Sequence, residues 1–352
     1  MGDFGYQLNG IQQVGIGVIN LEESWKWYRK AFGMDVPIFQ DKAEAYLMKG
    51  YTGGEVHSRH AVLAMNMQGG GGFEIWQFTS RKPTAYQGKT SWGDLGIFAV
   101  KIRSRDVLKS KAWLLECGAE VVTPIFTHPD STKSFFIRDP FANLFEIRES
   151  ESWFKSGKSL HGGVLGVCIG VSDLDQSLLL YQNILGFSEQ VYLEKNHQAK
   201  WENDVGTSSR TLLEMKGLNP GAFGALLCKA QVELVQLDQK PTCRIFQDRY
   251  WGDLGFIHCC LDVNGMHDLK AKAQLAGYPF TVDSEDSFDM GTASGHFCYL
   301  EDRDSTLIEM VETHKVPIFE KFNWYIHLKS RDHRKNLPSF LVRMLAINRV
   351  KD

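Results

Sequence analysis

The chain has 352 residues, 43% of them hydrophobic and 12% aromatic, with a formal net charge of -3 at pH 7. Its length and apolar content allow a large core divided over about two domains of ~100–200 residues each, and exclude a disordered or collagen-like chain. The near-neutral balance supplies no overall field for nucleic acid or an anionic membrane, so small molecules are the expected partners. Seven scattered cysteines form no C-x-x-C pair, no secretory signal opens the chain, and no apolar run nears the ~18 residues of a membrane span. A cytoplasmic protein with no nucleic-acid or membrane partner is the expectation.

The first strand is carried by Gln12-Gln13-Val14-Gly15-Ile16-Gly17-Val18, and a helix over Glu22–Phe32 follows, with Asn20 as its cap and Gly33 as its stop. Short strands rich in β-branched and aromatic residues then close on Phe73-Glu74-Ile75-Trp76. A second unit repeats the order, with a helix from about Val107 to Cys117 stopped by Gly118, and ends on Phe145-Glu146-Ile147. The third starts its helix at Val171-Ser172-Asp173-Leu174, with Tyr181 and Gly186 matching Tyr28 and Gly33, and ends on Val232-Glu233-Leu234-Val235. In the fourth, a helix from about Met266 to Ala276 is stopped by Gly277, and the last strand carries Ile308-Glu309-Met310.

The two halves are copies of one another. Lys82-Pro83-Thr84 followed by Trp92-Gly93-Asp94-Leu95-Gly96 recurs as Lys240-Pro241-Thr242 followed by Trp251-Gly252-Asp253-Leu254-Gly255. The fold class read from this pattern is α+β, built from four βαβββ modules. The expected division is residues 1–155 for modules 1 and 2, 156–314 for modules 3 and 4, and a basic C-terminal tail over 315–352. In that tail Pro338 suits a helix start before an apolar-periodic stretch from Ser339 to Asn348, which is expected to dock on the protein's own surface or on a second copy in a homodimer. The repeated Trp-Gly-Asp-Leu-Gly is expected to be a tight turn with aromatic packing, and Gly69–Gly72 a flexible loop. His57 and His60 are expected at the surface or at a rim.

A lone glutamate between apolar neighbours usually faces solvent from a half-buried strand. Four at equivalent positions point inward instead, and burying an ionised carboxylate costs several kcal/mol unless something positive compensates it. A bound cation would do so.

These strand endings, together with Trp27-Tyr28, Phe32-Gly33-Met34 and Arg138-Asp139-Pro140-Phe141-Ala142-Asn143, resemble the vicinal oxygen chelate superfamily of glyoxalases, bleomycin resistance proteins and extradiol dioxygenases, and most of all a fused, two-domain glyoxalase I. The resemblance extends over nearly everything before residue 315. It implies two glyoxalase-like mixed-sheet cups, each made of two modules, with metal ligands on the first and last strand of each module. Those positions hold Gln13 and Glu74, Ala99 and Glu146, Gly166 and Glu233, and His258 and Glu309. Cups closed within each half would give two incomplete sets. Cups crossed between halves, the pairing we expect, collect Gln13, Glu74, His258 and Glu309 at one site and leave only Glu146 and Glu233 at the other.

Two carboxylates, an imidazole and an amide oxygen suit one divalent metal ion, zinc or nickel first, with iron or manganese also compatible. The activity implied is a metal-dependent lyase or isomerase acting on a small α-oxygenated carbonyl substrate by chelation and stabilisation of an enediolate-type anion, with Glu309 and Glu74 as the catalytic carboxylates. The glutathione contacts of glyoxalase I are missing, because Gly17 and Phe78 stand where a basic residue and an asparagine are expected. An iron-dependent extradiol or hydroxyphenylpyruvate-type dioxygenase is the alternative enzyme, and lacks a histidine at Gly166. A non-catalytic small-molecule binding protein of the bleomycin-resistance type is the third reading.

Overall fold

The computed structural model describes residues 5–199, 201, 206–217, 220–238, 243–285, 288–290, 293–319, 324–329 and 331–351. The Lys240-Pro241-Thr242 copy of the repeated motif lies outside them. Module 1 comprises β1 (Gln7–Gly17), α1 (Leu21–Phe32), β2 (Val36–Glu44), β3 (Ser58–Met65) and β4 (Gly72–Phe78). Module 2 has β5 (Gly96–Ser104), α2 (Val107–Glu116), the short β6 (Glu120–Val121) and β7 (Phe126–Thr127), β8 (Lys133–Arg138) and β9 (Leu144–Glu149). Module 3 has β10 (His161–Gly170), α3 (Leu174–Asn183), β11 (Glu189–Gln198), β12 (Thr207–Glu214), a single turn α4 (Gly224–Leu227) and β13 (Gln231–Leu237). Module 4 has β14 (Gly255–Asn264), α5 (Met266–Leu275), β15 (Val282–Asp283), β16 (Phe288–Met290), β17 (Ala293–Glu301) and β18 (Leu307–Phe319), and the tail adds β19 (Trp324–His327) and α6 (Ser339–Met344).

The caps act as their chemistry predicts. The Asn20 side chain accepts from the Glu23 amide, and Gly33 ends α1 in the left-handed region at φ 69°. Asp106 and Asp173 cap α2 and α3 in the same way. In module 3 the helix stops at Asn183, so Gly186, at φ 75°, comes three residues after its last turn instead of ending it directly. The start of α5 has no side-chain cap of its own, and the Glu312 carboxylate accepts from the Gly265 and Met266 amides in its place.

Among the described residues the strands form two mixed sheets, and each takes one module from either half. In the ten-stranded sheet, β1 of module 1 pairs antiparallel with β14 of module 4, and in the nine-stranded sheet β5 of module 2 pairs with β10 of module 3. The pairing is therefore the crossed one. Within each half the modules are joined through their helices instead: Tyr28 Oη donates to Asp139 Oδ2 at 2.7 Å, and its repeat Tyr181 donates to Asp302 Oδ2 at 2.9 Å. The largest hydrophobic cluster combines α1, α3 and α5 with one face of both sheets, through residues such as Tyr28, Phe73, Phe145 and Leu261. A separate cluster lines the inside of each cup.

The glycine run corrects one expectation. Gly69–Gly72 are buried, and they are the seam between the cups: Gly71 and Val164 exchange both backbone hydrogen bonds, at 3.0 and 2.8 Å, and Gly163 N donates to Gly69 O at 2.7 Å. A Cβ on Gly70 would lie 2.7 Å from Val164 O, so the run is close backbone packing and not a loose loop. The Trp-Gly-Asp-Leu-Gly turns are structural, as expected. Trp92 and Trp251 are buried, and Asp94 and Asp253 accept from the Ser91 and Tyr250 amides. His57 departs from the expected surface position, being buried edge-on against Phe78.

Candidate metal centre

Strand alternation points Phe73 and Ile75 into the shared core and Glu74 into the cup, and it does the same with Ile308, Met310 and Glu309. On β1 a register shift between Ile11 and Gln13 puts both Gln12 and Gln13 on the cup side. The pairing aligns the site in two rows. Glu74, Gly15 and His258 are neighbours across β4, β1 and β14, while Gln13, Cys260 and Glu309 are neighbours across β1, β14 and β18.

All four expected site residues therefore meet. His258 Nε2 lies 3.0 Å from Glu309 Oε2 and 3.4 Å from Glu74 Oε2, and Gln13 Nε2 donates to Glu309 Oε2 at 3.2 Å. None is more than 5% exposed. One ligand atom from each of Glu74, His258 and Glu309 falls within a 4.8 Å group. Gln13 Oε1 is buried without a hydrogen-bond partner, and His258 Nε2 meets only the two carboxylates.

Burial disfavours a charged imidazole, but the Glu309 and Glu74 carboxylates outweigh it and raise His258 to about 9. Burial likewise works against an ionised Glu309, yet His258 keeps its carboxyl below the usual value. Even with His258 protonated, two buried carboxylates face one positive charge. Among the described residues neither Glu74 nor Glu309 has a lysine or arginine ion pair. The donor set, the unpartnered Gln13 oxygen and the uncompensated charge together fit a divalent cation.

The other two clusters of ligand-type residues carry their own cation. In the second cup Glu146 and Glu233, both fully buried, share the Lys101 ammonium, which lies 2.5 Å from Glu233 Oε2 and also contacts Glu146. Arg210 reaches Glu233 at 3.0 Å, and His128 reaches Glu146 at 2.9 Å. Burial opposes ionisation there too, but Lys101 and its basic neighbours lower Glu146 far below the usual carboxylate range and Glu233 to about 2. Near the edge strand β15, Asp283, His296 and Cys298 converge, and Lys270 Nζ is 2.6 Å from Asp283 Oδ2. These two clusters are internally neutralised; the first is not.

Sequence reasoning missed several residues here. Tyr299 Oη lies 3.3 Å from His258 Nδ1 and sits opposite Glu309 in the sheet, and Gly15 is the floor beneath the imidazole. Lys101 could have been found from alternation alone, because it stands two residues after Ala99 and so on the same face of β5.

The family model described as "Glyoxalase/Bleomycin resistance protein/Dioxygenase superfamily" matches residues 10–147. Among solved structures, glyoxalase I from Zea mays superposes with a TM-score of 0.53 at 14% identity, covering 88% of this chain and 92% of that one. A Bacillus subtilis protein described as a "putative dioxygenase" gives a TM-score of 0.55 at 14% identity, covering 87% and 86%. No curated protein sequence matches. At that identity the structural likeness speaks for the fold alone. The family match therefore covers modules 1 and 2, and the fold of the whole chain is consistent with a member of the glyoxalase/bleomycin resistance protein/dioxygenase superfamily, the vicinal oxygen chelate proteins.

Proposed function

We propose that the protein is a metal-dependent, glyoxalase-like lyase or isomerase that holds one divalent ion through Gln13, Glu74, His258 and Glu309 and acts on an α-oxygenated carbonyl compound. The observation that carries this reading is the pair of buried carboxylates, Glu74 and Glu309, with no lysine or arginine partner among the described residues, sharing one imidazole beside an unpartnered amide oxygen. When bound, the ion supplies Lewis-acid stabilisation of the negative charge that develops on two neighbouring substrate oxygens. The chain's own residues move the proton. Glu309, ionised at neutral pH, lines the cavity and is the base for a hydrogen on the carbon beside the carbonyl, and Glu74 across the imidazole is the second carboxylate able to return it. Tyr299 orients His258 from its Nδ1 side.

The dioxygenase alternative requires a second histidine where the chain has Gly166, and Gly166 belongs to β10 in the other sheet. The test is elemental analysis of the purified protein beside His258→Ala and Glu74→Ala. The expected result is close to one divalent ion per wild-type chain and far less in both variants. Stoichiometric metal that survives His258→Ala would overturn the ligand assignment, and a wild-type protein that takes up none would favour a ligand-binding role without chemistry.

A further inference from the structure

Gln13 and Glu309 also form part of the wall of a cavity containing about 870 Å3 of space free of protein atoms, some of it continuous with solvent. Its walls are apolar. Ile38, Leu63 and Met65 come from module 1, and Phe297, Val311 and Val316 from module 4.

The remaining cover comes from segments that the two-module cup does not need. Phe223 and Leu226 belong to the α4 segment of module 3, which reaches over from the other cup and is tied down by the Gly70 amide donating to Leu226 O at 2.7 Å. Leu345 follows α6 in the C-terminal tail, and the tail is held to the same segment where Leu337 N donates to Ala222 O at 2.9 Å. Four distant stretches of chain thus converge on one apolar chamber beside the candidate metal centre.

The charges of the lining are equally informative. No lysine or arginine lines the cavity among the described residues, and its ionisable groups are Asp262, His296 and Glu309. Asp262 is already paired, accepting from Asn9 Nδ2 at 2.8 Å and Gln12 Nε2 at 3.4 Å, and His296 is paired with Asp283 at 2.6 Å. A tripeptide thiol with two carboxylates, or a nucleotide carrier with phosphates, would meet no cation here and two acidic side chains.

We infer that the substrate is neutral outside its chelating end and carries an aliphatic or aromatic body that lies against these apolar walls while the two vicinal oxygens face Gln13 and Glu309. The chelating end rests on the metal-dependent reading above; the apolar body rests on the cavity alone. The full chain, loaded with zinc, is titrated with 1-hydroxy-2-propanone, 1-hydroxy-2-hexanone and 1-hydroxy-2-decanone. Affinity rises by about fourfold per added methylene, the equivalent of ~0.8 kcal/mol, until the chamber is full. S-decylglutathione, with an alkyl chain two carbons longer and two added carboxylates, binds about tenfold or more weaker than 2-decanone, which like it has no chelating end, following the loss expected for charges left unpaired. Ile38→Trp, at a half-buried wall position, moves the optimum to shorter chains.

Affinity independent of chain length, tighter binding of S-decylglutathione, or an unchanged length profile in Ile38→Trp overturns the inference. A comparison with 2-decanone, and with the His258→Ala protein, separates the two readings. If hydroxydecanone and decanone bind equally well in both proteins, the chelation fails while the chamber's preference for an apolar body stands.

Discussion

Gly15 lies directly beneath the His258 imidazole: a Cβ at residue 15 would come within 2.5 Å of Cε1 and 2.8 Å of both ring nitrogens. The glycine is required by the ring above it and not by its backbone, which is ordinary strand. Gly15→Ala therefore displaces the imidazole from Glu74 and Glu309. The expected outcome is a folded protein, destabilised by about 1–3 kcal/mol as for other overpacked sites, with metal content by elemental analysis well below half that of the wild type. Wild-type metal content in that variant would show that His258 is not a ligand.

Metal uptake should depend on pH. In the metal-free protein His258 stays protonated up to about pH 9, so a divalent ion must displace its proton. Apparent affinity, measured with a competing chelator, is expected to rise about tenfold per pH unit through the neutral range and to level off near pH 9. The stability of the metal-free protein runs the other way. A folded pKa raised above the ordinary imidazole value of about 6.5 contributes stability that is complete below that value and is lost as pH rises through about 9. Melting curves with and without metal should then diverge as the buffer becomes more alkaline.

Tyr299→Phe removes the hydroxyl beside His258 Nδ1 and leaves the ring packing in place. Loss of such an outer partner typically costs about 10- to 100-fold in metal affinity. That loss is the expected result, with an unchanged far-ultraviolet spectrum. An unaltered affinity would show that the tyrosine only fills space.

Lys101→Met tests the second cup. It removes the ammonium shared by Glu146 and Glu233 and leaves two buried carboxylates near Arg148, Arg210 and His128. Destabilisation of about 3–5 kcal/mol is expected in denaturant melts, the usual result of breaking a buried ion pair from one side. Metal stoichiometry at the first cup should not change.

The four modules, their caps and the inward glutamates were legible because each rests on a local rule: Asn20 and Asp173 before a helix, Gly33 after one, Glu74 and Glu309 between apolar neighbours in strands of period two. The meeting of Gln13, Glu74, His258 and Glu309 was legible only through the choice of a crossed pairing, since nothing local states which strand edge β1 will meet. Gly69–Gly72 misled for a related reason. Four glycines in a row look like slack chain, and only the approach of Val164 and Gly163 reveals that they are small because another backbone presses on them. The face that Lys101 presents was legible from its spacing to Ala99, but its pairing with Glu233, 132 residues away in the other half, was not.

Gln13 and Glu309 stand 296 residues apart in the chain, and the strand between them in the sheet, β14, belongs to the fourth module. On the ribosome, module 1 waits with an unpaired strand edge until module 4 has emerged. Closure is then a late, long-range event, slow by the loop entropy it must overcome and exposed to wrong partners in the meantime. Deleting the fourth module should therefore leave a first half that depends on chaperones or aggregates, not a smaller working cup.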